Sequence, residues 1–138
     1  MKSDFIESFS QVVRNSGRWR NYAPADLVAQ WTELVAKCVI GFPGNAEDYF
    51  NDLTARSDLE GAMSSPELAD YPEMLAVVKS VSVADAEFRK ILKPDAFPKF
   101  PENQWWNRGI VRFAGPRLVD ELKQFYGVEI DVVSEGEA

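Results

Sequence analysis

The chain has 138 residues, with 15 basic and 22 acidic side chains, one cysteine and no histidine. That length suits a single domain, and a hydrophobic fraction of 46% beside a charged fraction of 27% is that of an ordinary globule. Without imidazole there is no histidine-dependent triad or metal site, and one thiol allows neither an internal disulfide nor a multi-thiolate zinc centre; a pI near 4.6 opposes direct binding to nucleic acid or to an anionic membrane.

Taken in chain order, Ser3 to Ser16 reads as a helix with Ser3 as its cap, Phe5, Ile6, Phe9, Val12 and Val13 on one face, and Gly17 as its stop. Arg18, Trp19, Arg20 and Tyr22 form a loop, and Pro24 suits the first turn of a second helix running to about Ile40. Leu27, Trp31, Leu34, Val35 and Cys38 are that helix's buried stripe, and Gly41-Phe42-Pro43-Gly44 breaks it. Asn45 caps a third helix, with Glu47 and Asp48 in its first turn and Tyr49, Phe50 and Leu53 on its apolar side.

Ser57-Asp58 resembles a fresh cap, so residues 58–63 are expected as a separate short turn or helix. Tyr71-Pro72-Glu73 opens a long helix in which Met74, Val77, Val78, Val81, Phe88, Ile91 and Leu92 keep helical spacing until Lys93-Pro94. Residues 94–104 hold three prolines and read as an ordered loop, whereas Trp105 to Phe113 fits either a short helix or an irregular segment. Pro116 starts a last helix carrying Leu118, Val119, Leu122 and Phe125, and Gly127 ends it. Val128 to Val132 alternates as a strand does, with no second strand in view, and residues 134–138 are a polar tail. The expected fold is a single, mainly α domain of five to six helices with a short extended segment after them. Its expected core includes Phe9, Trp31, Leu34, Val78, Val81, Phe88 and Leu122. No secretory signal or membrane span can be drawn, and the lone Cys38 in an apolar run fits a small buried side chain in the reducing cytoplasm.

The charge is unevenly placed. Residues 45–73 hold eight acids, Glu47, Asp48, Asp52, Asp58, Glu60, Glu67, Asp70 and Glu73, against the single base Arg56, which leaves −7. The remaining chain carries 14 acids and 14 bases, so the whole net charge belongs to this segment. Such a concentration is either a solvated face or a docking surface for a basic protein partner, with those eight acids as its contact residues. Asp48, Asp52 and Arg56 fall at i, i+4 and i+8 on one side of the third helix. They offer a helix ion pair between Asp52 and Arg56 or, alternatively, a carboxylate–arginine site for a small ligand or a metal-dependent reaction. No ordered ligand spacing is present, so no metal, cofactor or catalytic residue is assigned. Arg108, Arg112 and Arg117 are expected to pair with the acidic segment, and the aromatic surplus leaves a helical homo-oligomer as a further reading.

Tyr49-Phe50-Asn51-Asp52-Leu53-Thr54-Ala55-Arg56-Ser57-Asp58-Leu59-Glu60 resembles a pattern of small bacterial helical proteins in which a tryptophan-bearing helix and a Gly-aromatic turn precede an Asn-Asp-Leu-x-x-Arg-x-x-Leu-Glu segment. Trp31 and Gly41-Phe42 stand in the preceding places, and Glu87-Phe88-Arg89 and Trp105-Trp106 match later ones, so the resemblance covers about residues 27–119. It implies a helical fold and transfers no activity to any residue. In size, acidity and helical character the chain is also similar in type to bacterial toxin-immunity proteins, which implies a non-catalytic module that binds a basic toxin domain.

Overall fold

The computed structural model describes residues 2–15 and 23–133, with side chains from Asp4 onward. Six α-helices carry the fold: α1 (Lys2–Asn15), α2 (Pro24–Ile40), α3 (Ala46–Met63), α4 (Met74–Lys90), α5 (Trp105–Arg108) and α6 (Pro116–Glu121). Four two-residue strands lie among the later elements: β1 (Leu92–Lys93), β2 (Ile110–Val111), β3 (Phe113–Ala114) and β4 (Asp131–Val132). The mainly α reading therefore holds, and α2 is the central element, packed against both α3 and α4. Its stripe is buried as expected: Leu27, Trp31 and Cys38 are fully enclosed, with Leu34 and Val35 nearly so. Phe9, Val81, Phe88 and Leu122 also sit in this core.

Val78 does not, being 42% exposed. Only one stripe of α4, through Met74, Val77, Val81, Ala84 and Phe88, faces α2, and Val78 lies one step round from it. The expected break at Asp58 is absent, because α3 runs unbroken from Ala46 to Met63. Leu53, Ala55, Arg56, Leu59 and Ala62 along it are all buried, so tertiary packing carries the helix through a residue pair that resembles a cap. The N-terminus of α3 is satisfied twice: Asn45 Oδ1 accepts from the Asp48 amide at 2.7 Å, and Glu121 Oε1 accepts from the Ala46 amide at 2.8 Å. The expected cap at Ser3, stop at Gly17 and loop over 18–22 lie outside the described residues or side chains.

The ambiguous stretch from Trp105 resolves into α5 and two strands. β1 pairs antiparallel with β2, and β3 pairs in parallel with β4. The alternating segment 128–132 thus has a partner, a dipeptide too short to show any periodicity of its own. Between β3 and β4, α6 widens into a π turn over Leu122–Tyr126, which Gly127 closes in the left-handed region at φ +66°. β1 and β2 approach so closely that a Cβ on Gly109 would lie 2.7 Å from Leu92 Cδ2 and 2.9 Å from the Lys93 carbonyl oxygen.

Candidate functional site

Among the described residues, Arg56 is the charged one that the fold buries most deeply, at 4% exposure. α3 aims it at α4, where Nε and Nη2 donate to the two carboxylate oxygens of Asp85 at 2.8 and 2.9 Å. Nη1 donates to Glu60 Oε1 at 3.0 Å. Asp85 Oδ1 also accepts from Trp31 Nε1 at 3.0 Å, tying α2 into the same network. The guanidinium lies 4.3 Å from the Trp106 ring centroid and 5.7 Å from that of Trp105, so a fixed cation is enclosed by two carboxylates and two indole faces. Trp106 in turn donates from Nε1 to Ser57 Oγ at 2.9 Å, one residue along α3 from Arg56.

This geometry replaces the expected Asp52–Arg56 pair. Arg56 takes Asp85 from another helix and Glu60 one turn onward, because its side chain points into the core while Asp48 is exposed and Asp52 half-buried. The three residues proposed for a carboxylate–arginine site do not converge, and among the described residues no group of three or more metal-ligating side chains comes together. Cys38 is sealed against α2's neighbours; burial pushes its thiol up to about 12, Asp52 adds to the rise and Lys37 opposes it. Burial likewise pushes the Tyr49 phenol well above its usual value, with Cys38 adding to the rise. Neither group is poised as a nucleophile near neutral pH.

The eight acids of residues 45–73 divide between different tasks. Glu47 and Asp48 are exposed in the first turn of α3, Asp58 is half-buried, and Glu60 holds Arg56. Glu67 and Asp70 are exposed beyond the other end of α3, with Glu73 just before α4. There Asp70 borders a groove of about 400 Å³ whose walls are apolar: Met63, Ala69, Pro72, Leu75 and Val78 line it. Leu75 is 76% exposed at this groove.

Of the three arginines expected to meet the acidic segment, Arg108 and Arg117 find partners elsewhere, and Arg112 is exposed. Arg108 donates from Nε to Asp95 Oδ1 at 2.6 Å and from Nη1 to the Phe100 and Pro98 carbonyls, pinning the proline-containing loop. Asp95 holds φ +62°, a left-handed conformation that its short polar side chain tolerates. Arg117 lies 3.6 Å from Glu121 within α6. Arg89 stacks 3.8 Å from the Trp105 centroid, beside a cleft that Arg108 and Arg112 also line. Sequence reasoning missed Asp85, whose only signal was a carboxylate on the α4 stripe's flank, and it missed the groove that Asp70 and the exposed Leu75 both line. No helix among the described residues is long and apolar enough to cross a membrane. No protein-family model, curated protein or solved structure matches the chain.

Proposed function

We propose that the protein is a non-catalytic binding module that docks a basic protein partner at the acid-rimmed apolar groove between the end of α3 and the start of α4. One observation carries the reading. Arg56, the only base in the −7 segment, is buried under Asp85 and Glu60, so it neutralises no acid at the groove. Asp70 lines the groove with exposed Leu75 and Val78, Glu67 is exposed three residues before it, and neither acid has an ion-pair partner among the described residues. A partial apolar contact supplies affinity, and the surrounding negative charge supplies the encounter rate and selects for a basic surface. Of the classes of protein with this chemistry, a cytoplasmic immunity protein that occupies a basic toxin domain fits the size and the charge.

The test is coexpression with the product of the adjacent gene in the source genome. The expected result is that the chain restores growth in the presence of a toxic, basic neighbour. Leu75→Ser combined with Glu67→Gln and Asp70→Asn should abolish the rescue while the protein remains folded. Full rescue by that variant removes the groove from the reading, and a neighbour that is neither toxic nor bound removes the immunity role.

A further inference from the structure

On a different side of α3 lies a second concavity, of about 430 Å³, with a composition unlike that of the groove. Its walls are aromatic. Phe50, Phe97 and Tyr126 form a mutually contacting triad with ring centroids 5.2 to 6.1 Å apart, and Phe100 adjoins them. These rings come from α3, the 94–104 loop and the π turn after α6, so three elements are held together to make one wall. The volume falls within the range of small-molecule sites, which combine an apolar lining with a few placed polar groups.

The polar groups are few, and their free valences can be assigned. Ser57 Oγ accepts from Trp106 Nε1 at 2.9 Å and from Asn107 Nδ2 at 3.3 Å, which uses both of its lone pairs and leaves its own proton to donate. No acceptor among the described residues takes that proton. Asn107 Nδ2 also donates to Gln104 Oε1, so both amide hydrogens are used and the Asn107 carbonyl remains an acceptor. Ser57 and Asn107, both half-buried, therefore present a donor beside an acceptor, the pair that a phenolic hydroxyl satisfies. The only charged residue of the lining is the exposed Lys99, whose ammonium meets the Phe100 ring at 5.2 Å and no carboxylate among the described residues.

We infer that this pocket binds a small aromatic carboxylate carrying a hydroxyl at the end of the ring remote from the carboxylate. The ring stacks on Phe50, Phe97 and Tyr126, the hydroxyl accepts from Ser57 and donates to Asn107, and the carboxylate meets Lys99. Binding here is independent of the acidic groove, because the two concavities share no residue.

Titration of the isotope-labelled protein with 6-hydroxy-2-naphthoate, 2-naphthoate and 2-naphthol, followed by amide chemical shifts, tests this. The expected shifts cluster at Thr54, Ser57, Lys99, Asn107 and Tyr126. Loss of the carboxylate should weaken binding about tenfold, and loss of the hydroxyl several-fold. Lys99→Met should weaken the two carboxylates by about the same tenfold and leave 2-naphthol unchanged, which a merely unfolded variant could not do. Phe97→Ala should weaken all three. Shifts confined to the Arg89–Trp105 cleft, equal affinity for all three probes, or no shift at millimolar concentration would each overturn the assignment.

Discussion

Arg56 concentrates the residue-scale energetics of this chain. A guanidinium 4% exposed is tolerable only while Asp85 and Glu60 answer its charge, so the consequences of removing each partner differ. Asp85→Ala strands a buried cation and should cost about 3 kcal/mol in urea unfolding. Glu60→Gln should cost under ~1 kcal/mol, since that carboxylate is 45% exposed and screened. Arg56→Met together with Asp85→Leu should recover most of the loss, and failure to recover would mean that the pair contributes more than charge neutralisation. Cys38 supplies a second, pH-dependent signature. The unfolded thiol ionises near 9.0 and the folded one near 12, so over that window the unfolded chain binds fewer protons. Its contribution is complete below pH 9 and then falls by about 1.4 kcal/mol per pH unit. Cys38→Ala should flatten the stability profile just above pH 9 and lessen its fall beyond pH 10, where the buried Tyr49 phenol lowers stability in the same sense, and the native wild-type thiol should resist alkylation at pH 8. Spacing alone placed Cys38 in the core, but it could not reveal Asp85 as Arg56's partner, because 29 positions separate the two and no local rule links them.

At the scale of elements, what could be read from the sequence was whatever local chemistry determines. Pro24, Asn45 and Gly127 mark boundaries through fixed backbone angles or hydrogen bonds within a turn, and each stands where expected. Asp58 and Val78 misled for the same reason in opposite directions: burial of neighbours, not propensity, decided that α3 continues and that Val78 faces out. The two-residue strands are too short to carry any pattern. Two substitutions probe these junctions. Asn45→Ala should cost about 1 kcal/mol by leaving the Asp48 amide without its acceptor. Gly109→Ala should be worse than its helix or strand propensity implies, because the Lys93 carbonyl at 2.9 Å cannot yield as a side chain would. A melting temperature within a degree of wild type would show that β1 and β2 can separate.

Across the whole molecule the net charge of −7 was legible as a number and as a location, but not as a surface. Folding assigns Glu60 to Arg56, places Glu47 and Asp48 at one end of α3, and leaves Glu67 and Asp70 exposed beyond the other, with Asp70 on the groove. Neutralising Glu67 and Asp70 together should leave the thermal midpoint unchanged or slightly raised, since neither holds a cation among the described residues. A fall of many degrees would show that the two acids are structural. The aromatic concavity was invisible in the sequence because its members, Phe50, Phe97 and Tyr126, lie far apart along the chain.

The parallel pairing of β3 with β4 sets the order in which this molecule comes apart. Both residues of β4 are exposed, and the segment is held by backbone bonds from Asp131 to Arg112 and from Val133 to Ala114 and by the partly buried Val128 and Ile130. Such a segment opens at far lower free energy than the α2–α3–α4 core, so its amides should exchange with solvent first. Tyr126 sits only five residues before it, beyond the left-handed turn at Gly127. Exchange at the Tyr126 amide should therefore be faster than at Arg56, whose side chain is sealed between α3, α4 and the two indoles.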